Sequence, residues 1–219
     1  MLIFRNNDSP KDNTLSTNDI YSFTQSCIKQ TAEDSIYYIG STGGYFNSPN
    51  LSTPGNTAYY LYNKKNYMPS KERVEQELAN YMNEMLFFCT KGFVDYPEYT
   101  VSQEKIITTV KIEEGKVVFN VKYPLSITKE NKTYFVSRFD NNEIPVRLDV
   151  VYDSAKEIIE EQMKHPEDIC VNCLGKISEE EDIYIDMYDY NQTTIIFEIA
   201  DPNSNINGGE LRFTFANKY

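Results

Sequence analysis

The sequence predicts an α+β fold in which three long helices pack on antiparallel sheet. Apolar residues recur at helical spacing in three long segments. Six further runs are β-branched or aromatic and are bounded by turn residues. Helices and strands come in blocks rather than in single alternation, so the order reads helix–βββ twice, preceded by one extra helix.

Residues 1–16 read as a polar tether, and the stub Leu2–Phe4 before Arg5 reads as the remnant of a membrane anchor whose earlier part is missing. Thr17 starts an amphipathic helix with Ile20, Phe23, Cys27 and Thr31 on one face, ending near Gly40. A long segment rich in Gly, Pro, Ser and Asn follows and reads as irregular. Ser70 is placed to N-cap the next helix, whose stripe is Val74, Leu78, Tyr81, Met85 and Cys89, with Gly92 in its C-cap region. The strands "EKIITTVKI", "KVVFNVKYPLSI" and "KTYFVSRF" come next, and alternation in "VVFNVKYPL" predicts one buried face. After Pro145 a third helix carries Leu148, Val151, Ala155, Ile158 or Ile159, and Met163. "DIYIDMYDY", "TTIIFEIAD" and "GELRFTFANKY" are the last strands. Residues 17–144 thus hold two helices and antiparallel strands, and residues 145–219 a helix and three antiparallel strands, as separate units or as one continuous domain.

With 219 residues, 40% of them hydrophobic, the chain is long enough for a substantial core. A net charge of -12 repels phosphate backbones, which argues against nucleic acid as a partner. Asn, Ile, Lys and Tyr are abundant and Trp is absent, a bias of AT-rich coding. The 18 tyrosines are therefore expected in strands and core rather than as a recognition platform.

The cysteines carry the most chemistry. Cys27 and Cys89 fall on apolar helix faces. If those helices pack, a bridge would close a loop of about 60 residues, worth about 4 kcal/mol of chain entropy; the alternative is two buried thiols. Cys170 and Cys173, in "EDICVNCLGK", admit redox exchange, a zinc half-site, a local disulfide or free thiols. Redox exchange wants the pair after a strand and opening a helix, whereas here it follows a helix end and an acidic loop. Zinc wants four ligands, and the chain has one such pair. A local disulfide, worth about 2 kcal/mol before strain, fits best with an oxidising compartment.

Other motifs read as structure. The single histidine, His165, precedes Pro166 at a helix end, where it complements the dipole. Gly43 and Gly44 stop a helix rather than open one, the wrong order for a phosphate cradle. Asp201, Asn203, Asn205 and Asn207 have the spacing of calcium ligands, but Ile206 and Arg212 stand where such a loop needs Gly and Glu, so a hairpin is expected. Asp182, Asp186 and Asp189 belong on or beside a solvated strand face. Asn7, Asn50, Asn131 and Asn191 lie in glycosylation sequons, of which Asn50, Asn131 and Asn191 are the candidate acceptors. No catalytic residue, cofactor or metal site is predicted.

The segments "SFTQSCIKQTAEDSIYYIGSTGGYF", "MPSKERVEQELANYMNEMLFFC", "IPVRLDVVYDSAKEIIEEQM", "EDICVNC" and "FANKY" resemble surface-type proteins of small-genome archaea, a family without an assigned activity. The likeness runs from about residue 20 to the end. It implies a single N-terminal membrane helix with the remainder outside the cell, and it implies location rather than chemistry. The expectation is an extracytoplasmic domain at the cell envelope, stapled by disulfides among Cys27, Cys89, Cys170 and Cys173, that binds a protein or surface ligand or assembles. The alternatives are a thiol–disulfide oxidoreductase using Cys170 and Cys173, or a zinc-stabilised binding module.

Overall fold

The structure of the protein, a computed structural model, describes residues 15–166 and 168–219. Helix α1 (Leu15–Ser41) precedes strands β1 (Tyr59–Tyr62) and β2 (Lys65–Asn66), helix α2 (Lys71–Thr90) and a 3-10 turn (Lys91–Phe93). Strands β3 (Thr100–Gln103), β4 (Ile107–Glu113), β5 (Lys116–Lys129) and β6 (Lys132–Ile144) follow. Helices α3 (Leu148–Lys164) and α4 (Val171–Glu181) lead to β7 (Tyr184–Asn191), β8 (Thr194–Ile206) and β9 (Gly209–Lys218).

The class is α+β, as the segregated helices and strands predict, but the element count differs. There are four helices among the described residues, the fourth being α4 at the cysteine pair. The segment read as irregular contains β1 and β2, four strands rather than three follow α2, and helix–βββ is not a clean repeat. The tether assigned to residues 1–16 falls mostly outside the described residues, and Leu15 and Ser16 already belong to α1.

The strands form two sheets, one ordered β2-β1-β9-β8-β7, the other built on β5 with β3 and β4 along one side and β6 along the other. The first is mixed, not antiparallel: β1 runs parallel to β9, with Tyr59 opposite Ala216 and Leu61 opposite Asn217. An aromatic stack crosses its inner face. Tyr60 stacks on Phe215 at 4.7 Å and Phe215 on its register partner Phe197 at 5.2 Å. Such cross-strand pairs add to sheet stability beyond area burial.

In the second sheet β5 carries Pro124, which has no N–H for a ladder. The strand accommodates it with a bulge opposite β6 between Lys122 and Leu125. On the other side the ladder is interrupted between β3 and β4, and the Pro124 carbonyl accepts from the Glu104 N–H at 3.0 Å.

Helices α1 and α2 seal sheet edges. Gly40 of α1 lies directly against the Arg212 carbonyl of β9, leaving no room for a Cβ. Glu75 of α2 accepts the Ile112 N–H of β4 at 3.0 Å and Lys111 Nζ at 2.7 Å. Glu77, also buried, accepts the Phe46 N–H at 3.1 Å. The buried residues of both sheets and all four helices form one cluster. In α3 the expected core position Met163 is 39% exposed, and Gln162 is buried in its place. Gln162 donates to the carbonyls of His165 and Asp168 and accepts from Tyr219 Oη.

Two buried phenols set an alkaline limit on this core. Burial pushes the Tyr152 phenol up to about 12 and Tyr60 well above its usual value. The unfolded chain releases these protons near pH 10, so the native state binds more protons above that point and loses stability as pH rises toward 12. The contribution of these phenols should be full below about pH 10. Absorbance at about 295 nm and circular dichroism should show the last phenolates appearing together with unfolding; their appearance in a folded protein would contradict this burial.

Candidate functional site

The described cysteines are all paired. Cys27 is bonded to Cys89 with Cα atoms 5.6 Å apart, tying α1 to α2. The contacts of Tyr38 with Tyr81 and of Phe23 with Phe93 show that the two helices run antiparallel. Cys170 is bonded to Cys173, and their context corrects the sequence reading. The pair opens a helix: Cys170 is the N-cap of α4, and its Sγ accepts the Cys173 N–H at 3.3 Å. Both cysteines are half-buried beside a small cleft lined by Ile158, Ile169, Leu174, Ile177 and Phe197 together with the polar Glu161 and Gln162. Among the described residues no group of three or more His, Cys, Asp or Glu is placed to hold a metal.

The far end of α4 is held by Arg147 and by Asn203, whose Nδ2 donates to the Asp182 carbonyl at 3.3 Å and carboxylate at 2.9 Å. Asp201 in β8 is fully buried and ion-paired with Arg147, the N-cap of α3. Ser204 Oγ donates to Asp201 at 2.5 Å and the Asn203 N–H donates at 3.1 Å, so the carboxylate is satisfied on several sides. The Arg147 N–H donates to Ser204 Oγ at 2.8 Å. The same guanidinium donates to the carbonyls of Glu181 at 3.2 Å and Asp182 at 3.3 Å. These carbonyls end α4, where a cation complements the helix dipole. This matters because the last turn of α4 carries Glu179, Glu180 and Glu181, charges of the wrong sign for that position. Asp182 then takes the left-handed conformation at φ 52°, and the chain turns into β7.

Strand β7 is the exposed strand that this arrangement presents. Among the described residues it pairs with β8 alone, and only Ile185 along it is not exposed. Tyr184, Asp186 and Tyr188 stand opposite Ala200, Glu198 and Ile196 on one face, with Tyr184 61% and Tyr188 47% exposed. Glu198 pairs with Arg212, which also holds Glu210. Asp186 and Asp189 are solvated, as predicted, but they sit on an open sheet edge, which the periodicity of a single strand could not reveal.

The other candidates keep structural roles. His165 is the exposed C-cap of α3, its N–H donating to Glu161 O at 3.4 Å. Gly43 and Gly44 end α1 at φ 73° and 85°, and the Gly44 N–H donates to Ile39 O at 2.8 Å. Asp201 serves Arg147, Asn203 turns to Asp182, and Asn207 turns to Asp34, so these side chains do not converge. Asn50, Asn131 and Asn191 are all exposed, Asn131 at the β5–β6 turn and Asn191 at the β7–β8 turn, while Asn7 lies outside the described residues.

Comparison with protein-family models, curated proteins and solved structures gives no match for this chain. The disulfides point to an oxidising, extracellular type of environment. No helix among the described residues is long and apolar enough to cross a membrane.

Two sets of variants test the supports of this site. Arg147→Met leaves Asp201 buried and unpaired and should cost about 3–5 kcal/mol in denaturant unfolding, most of it recovered when Asp201→Leu is added. A loss below about 1 kcal/mol would show that the pair is peripheral. Replacing Cys27 and Cys89 together with Ala should cost about 4 kcal/mol, and replacing Cys170 and Cys173 about 2 kcal/mol, since the entropic gain follows loop length. Equal losses would contradict that assignment of the stabilisation.

Proposed function

We propose that this chain is the non-catalytic, extracytoplasmic domain of a membrane-tethered cell-surface protein that works by binding or by envelope assembly. The observation that carries the reading is the complete pairing of the described cysteines, a state that reducing compartments do not sustain. The open edge at β7 supplies the binding surface, and the resemblance to archaeal surface-type proteins supports the tether. Asn50, Asn131 and Asn191, all exposed, are the positions proposed to carry glycans.

A second reading is favoured by one observation, the Cys170–Cys173 pair at the start of α4. A helix N-terminus stabilises a thiolate, so the reduced pair could attack a substrate disulfide. The mixed disulfide would then resolve to the Cys170–Cys173 bond and a reduced substrate dithiol, two electrons passing from the protein to the substrate.

One preparation separates these readings. Intact native cells are treated with a thiol-alkylating reagent before lysis, fractionated, and the protein peptide-mapped by mass. Both disulfides unalkylated, in the membrane fraction, is the expected result; alkylated cysteines in a soluble cytosolic pool would sink the surface reading. The same map reads glycan mass at the three sequons. Insulin reduction by the purified chain should stay at the level of Cys170→Ser; turnover lost only in that variant would instead establish the exchange activity.

A further inference from the structure

We infer that copies of this chain join edge to edge, the first half of β6 in one copy pairing with β7 of the next. The inference rests on the assembly reading above and names the partner of that open edge. Most other sheet edges are short or covered. β2 and β3 span two and four residues. The β9 edge is closed by Gly40 of α1 and then by β1, and β4 lies under α2, with Glu75 accepting its Ile112 N–H. Among the described residues two long edges stay open: β7 pairs only with β8, and β6 pairs only with β5. Helix α1 covers the second half of β6, through Tyr21 on Phe139 and Gln25 on Asn142, leaving residues 132–138 uncovered.

The two open edges carry opposite charge. Lys132 and Arg138 lie on β6, with Lys122 of β5 directly opposite Arg138. Asp186 and Asp189 lie on β7, with Glu198 of β8 opposite Asp186. Among the described residues none of Lys122, Lys132, Arg138, Asp186 and Asp189 is in an ion pair. Pairing like edges would set lysine and arginine against each other, or aspartate against aspartate, which is destabilising. Pairing unlike edges sets one carboxylate opposite an ammonium or guanidinium group at strand spacing, about 4.8 Å, in any one register, with the other charges of the two edges as diagonal neighbours. The net charge of -12 opposes any self-association. At about 0.15 M salt, however, screening acts over about 8 Å, which weakens whole-molecule repulsion more than contacts across a strand pair. The edges also match in character. Phe135 on β6 is 80% exposed and Tyr184 on β7 is 61% exposed, both available for cross-strand aromatic contact. Because the joined surfaces differ, the contact is heterologous and propagates into chains or rings.

Sedimentation velocity from about 1 μM to about 1 mM at about 0.15 M salt tests the proposal. The wild-type chain should grow in size with concentration. The charge reversals Asp186→Lys with Asp189→Lys, and Lys132→Glu with Arg138→Glu, should each stay monomeric alone. An equimolar mixture of the two reversed proteins should assemble again, which also shows that both are folded. Amide exchange should show residues 132–138 and 184–190 gaining protection only in the assembled state. A wild type that stays monomeric throughout, reversals that assemble like it, a mixture that does not recover, or assembly without protection at these strands would each overturn the proposal. Alkylation and fractionation read neither edge, so the compartment and the assembly can fail separately.

Discussion

The buried ion pair between Arg147 and Asp201 organises the C-terminal half of the molecule. A fully buried carboxylate is tolerable only with a cation and further donors around it, and Arg147, Ser204 and Asn203 supply both. The same guanidinium reaches the closing carbonyls of α4, so one side chain connects the start of α3, the irregular middle of β8 and the turn into β7. The position and open edge of β7 depend on that connection. Asp201 buried without its partner would leave Asn203, which donates to Asp182, as the remaining side-chain link between β8 and the end of α4.

Management of sheet edges is the second constraint. The helices do more than cover sheet faces with apolar stripes. α1 comes close enough to β9 for Gly40 to touch backbone, and α2 carries acceptors in Glu75 and Glu77 to otherwise unmet N–H groups. The Cys27–Cys89 bond holds these two helices together, so the seals at β9 and β4 are tied to each other. The cysteine pair at α4 has a smaller, local effect at the start of the helix that leads to β7, one of the two open edges.

Helical and strand periodicity made α1, α2, α3 and the six long strands legible, because each has enough apolar positions on one face to show its period. Helix α4 was not legible. Only Leu174 and Ile177 are buried along its length, Gly175 lies between them, and an acidic run ends it. β1 and β2 were hidden in a segment dense in turn residues, and their place depends on a parallel partner in β9, far away in sequence. Met163 looked like a core residue from its spacing. Gln162 takes that place because the turn after α3 needs a donor for two carbonyls and an acceptor for Tyr219.

Alone, the sequence determined the α+β class, most helix and strand positions, the stops at Gly43 and Gly44, and the short reach of the Cys170–Cys173 pair. These are local properties, set by side-chain period, backbone freedom and chain separation. Tertiary structure decided that Cys27 meets Cys89, that Asp201 is buried against Arg147, and which strands end as open edges. Each depends on which distant segments come together, and a strand carries the same alternation whether its far side is paired, covered or free.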